Sequence, residues 1–131
     1  MAMLSTSTRD GEYSTEARAD VLTKAVLRSA DLLGLKRAQL SGAIGLSLAT
    51  LSRMYAGQYH LNPKHKSWEL ALLLVRLYRG LDALVGGDER SLQAWMQSPN
   101  KDLHEAPINL IGQVPDLAHM VAYVDAHRAR V

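Results

Sequence analysis

Apolar residues recur along this chain at steps of three and four, with no sustained alternation at steps of two. Val21, Leu22, Ala25, Val26, Ser29, Leu32 and Leu33 trace one face of a helix over residues 17–33, as a 3.6-residue turn requires. Gly34 stands where that helix must end. Ser14 or Thr15 can cap its start, with Glu16 and Asp20 near its positive end. Residues 1–14 are rich in Ser, Thr and charge and predict a mobile tail. Leu40 and Ile44 lie four apart, Leu51 and Met54 three apart. They predict two short helices over 35–44 and 47–55. Gly45 forms the turn between them, Leu46 is its apolar plug and Ser47 caps the second helix. Ser41 and Gly42 are small where this helix pair must approach.

A longer helix follows over residues 67–85. Its apolar set, including Trp68, Leu72, Leu74, Leu77, Leu81 and Leu84, covers more than one face. Such a helix packs on several neighbours at once. Its surplus width predicts a homodimer interface through Trp68, Leu72 and Leu81, while Arg76 and Arg79 mark the wet side. Gly86-Gly87 ends it. A short helix over 88–96 has Asp88 as its cap and Leu92, Trp95 and Met96 as its apolar set. Ser98-Pro99-Asn100 turns the chain, and Leu103 is an anchor in a polar loop. Pro107 opens a further short helix that Gly112 ends. The last helix starts at Val114 or Pro115 with the stripe Leu117, Met120, Val121 and Val124. The expectation is an all-α protein in three parts: the tail 1–14, a helix-turn-helix bundle with dimerisation helices over 15–85, and a small helical region over 86–131.

Charge sharpens this picture. The net charge is only +2, but no Asp or Glu occurs between Leu32 and Trp68. That span holds Lys36, Arg37, Arg53, Lys64 and Lys66, with His60 and His65. The sign then reverses at Asp82, Asp88, Glu89, Asp102 and Glu105, against Arg90 and Lys101. A polyanion meets the first region and avoids the second. The chain of 131 residues contains no cysteine, which excludes disulfides and thiolate metal sites and fits a reducing cytosol. No apolar run approaches the roughly 18 residues of a membrane span. The polar N-terminus is unlike a signal peptide. Cytoplasmic placement is therefore expected. His60 and His65 lack a metal-ligand spacing. No nucleophile–base set, paired carboxylates or phosphate-binding glycine loop appears. No metal, cofactor or enzymatic activity is expected.

The segments Gln39-Leu40-Ser41, Gly45-Leu46-Ser47 and Thr50-Leu51-Ser52-Arg53 resemble the Cro/repressor-type helix-turn-helix, with mild departures at Ser41 and Leu46. The resemblance implies binding to double-stranded DNA with a recognition helix starting at Ser47. Ser47, Leu48, Ala49, Thr50, Ser52 and Arg53 are then the interface. Arg53 is the one strong base reader, and Leu48 and Ala49 offer only apolar contact. Lys36, Arg37, Lys64 and Lys66 are the candidate phosphate contacts.

A second resemblance covers the C-terminal third. Trp95, Pro99-Asn100, Leu103, Pro107, Leu110-Ile111 and a closing helix with Val121 are similar to the pattern of the Xre/MbcA/ParS antitoxin domain. The family has a glycine shortly before the proline matching Pro107, where this chain has His104-Glu105-Ala106. It also has one opening the last helix, where Leu117 stands. The resemblance implies an antitoxin whose partner is a RES-type toxin, an NAD-consuming fold, and which binds operator DNA. Trp95, Pro99, Asn100 and Leu103 are the candidate toxin contacts. His127, Arg128, Arg130 and Val131 are candidates for a plug that occludes the toxin's cleft. The alternative is a stand-alone transcription regulator whose C-terminal part only dimerises.

Overall fold

The computed structural model describes the backbone of residues 2–129 and the side chains of residues 15–128. Among the described residues are seven helices: α1 (Ala2–Leu33), α2 (Arg37–Ile44), α3 (Leu48–Tyr55), α4 (Lys66–Leu84), α5 (Glu89–Gln97), α6 (Pro107–Leu110) and α7 (Val114–Ala129). No strand occurs among them. The isolated bridge Asn100–Glu105 closes the loop before α6. The first helix starts at Ala2, not near Ser14, so the backbone over residues 2–14 is helical where the sequence predicts a tail. That stretch contains no proline, and Gly11 alone is a strong helix breaker within it.

Helix α4 is the centre of the molecule. It packs on α1 and α2 and also on α7. One apolar cluster runs through it, joining Leu22, Val26 and Leu33 of α1, Leu40 and Ile44 of α2, and Leu51 and Met54 of α3 to Leu92 and Met96 of α5 and Leu117, Met120 and Val124 of α7. The glycine pair after α4 divides the charge of the chain but not its core. Leu81 has no exposed surface. It fills this core and does not stand at an interface, contrary to the sequence reading. The stripe on α7 is likewise buried, so it seats the helix and offers nothing to a partner.

Two close approaches set the helix spacing. A Cβ added to Gly80 would lie 2.6 Å from Val124 Cγ1, so α7 lies nearly backbone-close on α4 at that point. One turn away, Arg76 pairs with Asp125 at 2.6 Å. The second approach involves Gly42, where an added Cβ would sit 3.5 Å from the Cα of Gly112. Gly42 therefore admits the α6–α7 connection, not α3 as its position in the sequence suggests. Between α2 and α3 it is Ser41 whose hydroxyl donates to the Leu46 carbonyl. The loop ahead of α4 is pinned by Thr23, whose buried Oγ1 accepts from Leu61 N at 2.9 Å while donating to Ala19 O at 2.7 Å.

Candidate functional site

The α2–turn–α3 unit follows from its local chemistry. Gly45 takes a left-handed conformation (φ 71°) that costs a glycine little, and its N–H donates to Ser41 O. Ser47 caps α3, its Oγ accepting from Thr50 N at 3.1 Å. With Leu51 and Met54 buried, Ala49, Ser52 and Arg53 stand exposed, together with Leu48, which is 54% exposed. A large apolar side chain left outward on a short helix contributes nothing to the core. It is suited to a groove lined by thymine methyls. The Arg53 guanidinium donates to Thr50 Oγ1 at 3.2 Å, and Ser47 donates to the same oxygen at 2.9 Å. Ser47, Thr50 and Arg53 thus form one chain of hydrogen bonds along the exposed side of α3.

Around this helix lie the cations. Lys36 and Lys64 are exposed. Lys66 is paired with Glu69 at 2.9 Å, with both side chains mostly in water. Such a pair contributes little to stability and exchanges readily, but it offsets the charge of Lys66. The guanidinium of Arg37, at the start of α2, lies 4.0 Å from the centre of the Tyr55 ring. The Tyr55 hydroxyl donates to Asp31 Oδ1 at 3.1 Å. Burial and the adjacent Asp31 carboxylate push this phenol up to about 12, so it stays protonated.

At the other end of the molecule the loop between α5 and α6 is built around Asn100. Its Oδ1 accepts from Asp102 N at 2.9 Å and Leu103 N at 3.3 Å, and its carbonyl accepts from His104 N at 2.8 Å. His104 is driven into the left-handed region, with φ of 68°. Glu105 accepts from Ala106 N at 2.8 Å and from Asn109 at 3.1 Å. These bonds hold its carboxyl below the usual range. Asp102 accepts from the Tyr123 hydroxyl at 3.0 Å, which ties the loop to α7. The Tyr123 ring lies 6.4 Å from Trp95 and 4.1 Å from His127. His127 Nδ1 lies 2.8 Å from the Tyr123 carbonyl. A carbonyl can only accept, so Nδ1 carries the proton and Nε2 turns away from the backbone. The result is a rigid ladder of rings from α5 across the end of α7.

Both ends of the chain have counterparts in known families. Residues 12–76 match the antitoxin Xre-like helix-turn-helix domain. Residues 80–130 match the antitoxin Xre/MbcA/ParS C-terminal toxin-binding domain. The chain is an Xre-type antitoxin. Among curated proteins none matches it significantly. The two matched regions meet inside α4, between residues 76 and 80. The boundary thus falls beside the Gly80 close approach.

Against this antitoxin's geometry the predicted site residues sort clearly. Ser47, Leu48, Ala49, Thr50, Ser52 and Arg53 lie together along α3 and its cap. Trp95 is half-buried in the ladder and Pro99 is exposed. Asn100 holds the loop through its side-chain oxygen, so its first role is to shape the surface. Leu103 is buried and anchors that loop to the core rather than meeting a partner. His127 ends the ladder, and the Arg128 stem passes 3.7 Å from the Cβ position of Gly80. Arg130 and Val131 lie outside the described residues. Of the proposed dimer contacts, Trp68 is buried at the wall of a groove between α1 and α4, and Leu72 stands at its rim, 48% exposed. Val21 of α1, 63% exposed, lines the same groove.

Sequence reasoning passed over Tyr55, Asp31, Asp102, Tyr123 and Gly80. For Gly80 a signal existed, because a lone glycine inside a long apolar helix costs about 1 kcal/mol and so marks a close approach. For Tyr55 and Tyr123 none existed, because their partners are remote in sequence.

Proposed function

We propose that this antitoxin neutralises a RES-type, NAD-consuming toxin through its C-terminal domain and binds operator DNA as a cytoplasmic homodimer, repressing its own gene. The observation that carries the reading is the pairing of a toxin-binding domain with an exposed, uncommitted face of α3 on one core. DNA binding rests on that face and on the basic span around it. One recognition helix reads only a short half-site, so affinity calls for two helices roughly 34 Å apart on the duplex. The α1–α4 groove supports a two-fold pairing. Glu69, Leu72 and Arg76 share the outward stripe of α4. An antiparallel α4–α4 contact centred on Leu72 covers that side chain, while Val21 covers the apolar rim.

For the toxin, the ladder of Trp95, Tyr123 and His127 is the contact surface, with Pro99 beside it. Aromatic anchors held in fixed rotamers dominate binding energy because little freedom is lost on docking. The terminal turn reaches the cleft, as steric occlusion requires.

The test is truncation with a RES-type toxin co-expressed. Truncation after Tyr123 would remove buried Val124 and the Asp125 pair and unsettle the core. Truncation after Ala126 leaves both in place. The shorter-by-one-turn antitoxin is expected to fold and to bind DNA but to release toxin activity, read as NAD loss. Full inhibition by it would refute the plug and leave the loop around Trp95 and Pro99 as the contact. Failure to co-purify with a RES-type toxin would overturn the assignment of partner and point to a toxin of another class.

A further inference from the structure

Arg37 occupies the first position of α2, and the first turn of that helix contains no acidic residue. A cation there faces the positive end of the helix dipole. Yet Asp31, whose carboxylate and the Arg37 guanidinium both act on Tyr55, does not pair with it. Asp31 instead accepts from the Tyr55 hydroxyl at 3.1 Å, and the Arg37 guanidinium lies over the ring of that tyrosine, 4.0 Å from its centre. Tyr55 therefore contacts an acid through its hydroxyl and a base through its ring. The consequence is geometric and electrostatic together. A guanidinium in a salt bridge has its charge neutralised and its in-plane N–H groups engaged. One held on a ring face keeps its charge and leaves its N–H groups available to a further acceptor.

We propose that Tyr55 is a positioning residue for DNA binding: its ring holds Arg37 as a pre-set phosphate clamp at the edge of the recognition helix, and its hydroxyl keeps Asp31 from quenching it. The ligand is a phosphodiester of the duplex flanking the bases under α3. In a helix-turn-helix the first helix crosses the backbone with the second in the groove, and Arg37 heads that first helix. Tyr55 is the last residue of α3, and Asp31 lies near the end of α1. The three residues thus lock three helices around one guanidinium. A phosphate contact from a fixed side chain orders less on binding than one from a free lysine such as Lys64.

This inference rests on the DNA-binding reading, and the experiment separates the two. Binding of the full-length protein to its operator fragment is measured by fluorescence anisotropy across a salt series. The proteins are wild type, Arg37→Ala, Tyr55→Phe, Tyr55→Leu and the Arg37→Ala/Tyr55→Leu double variant. Urea melts accompany each. Arg37→Ala is expected to weaken binding to specific and random DNA alike and to lower the salt slope by about one. Tyr55→Leu is expected to weaken binding roughly two- to fivefold, the equivalent of an exposed cation–π contact, and to reduce the slope. The double variant is expected to bind no worse than Arg37→Ala.

Tyr55→Phe separates the two parts of the proposal. It keeps the ring but frees Asp31, so its affinity is expected to fall between wild type and Tyr55→Leu. Additive losses in the double variant would overturn the positioning role, as would an unchanged slope in Arg37→Ala. A wild type without salt-dependent DNA binding would overturn the DNA reading itself.

Discussion

Replacing Gly80 by alanine tests the packing on which the whole molecule depends. In an unconstrained helix the change is stabilising by about 1 kcal/mol, because glycine gives up more backbone freedom than alanine. Here the new Cβ would meet Val124 Cγ1 at 2.6 Å, about an ångström inside a normal carbon–carbon contact of about 3.5–4.0 Å. Neither partner is the free end of a flexible chain. Val124 is β-branched and buried, so either its rotamer or the α4–α7 spacing must change. Overpacking of this kind costs typically about 1–3 kcal/mol. The net expectation for Gly80→Ala is a loss of about 1 kcal/mol. Val124→Ala alone removes two buried methyls and should cost about 2 kcal/mol. In the double variant the alanine methyl at 80 fills part of that space. The two changes should therefore couple favourably by about 1–2 kcal/mol. Urea denaturation followed by far-ultraviolet circular dichroism gives all four corners of the cycle. A Gly80→Ala protein more stable than wild type by its full helix-propensity gain, with no coupling to Val124→Ala, would refute the close approach and the role assigned to this glycine.

Other predictions are more local. Arg53→Ala should cost about 1–3 kcal/mol on a specific operator if Arg53 reads a guanine. Equal losses on operator and random DNA in a gel-shift titration would reduce it to a phosphate contact. His104→Gly should stabilise the fold by about 1 kcal/mol, since a non-glycine residue in the left-handed region carries a penalty of that order. A lower melting temperature would show instead that the imidazole makes a contact that holds the loop.

Much of this was legible in the sequence because it is local. The turn at Gly45, the cap at Ser47, the inward pair Leu51 and Met54 and the cap at Asp88 each depend on residues within a turn of one another, and each stands where its spacing puts it. The antitoxin pattern around Trp95 and Pro107 was likewise readable. What the sequence did not reveal depends on which helix meets which. Leu72 and Leu81 look alike in the apolar pattern of α4, yet α7 covers one side of that helix and leaves another open. Gly42 seemed to serve α3 and serves Gly112. The glycine that the family pattern places before Pro107 is missing, and His104, three residues before that proline, takes a left-handed conformation that suits a glycine. A pattern of residue types could not show that, since a φ angle is not written in a side chain.

Because both matched regions draw on the single apolar cluster threaded by α4, this antitoxin has no stump to leave behind. A two-domain repressor can lose one half to a protease and keep the other at work. Here cleavage that releases α7 strips the cover from one side of α4, the helix on which α1 and α2 also pack, and unfolding from either end weakens the footing of the other. In the proposed function, turnover would thus work as a single clock: the same event that frees the toxin also clears the operator. The lifetime of the protein in the cell would then set both outcomes together, with no interval in which one persists without the other.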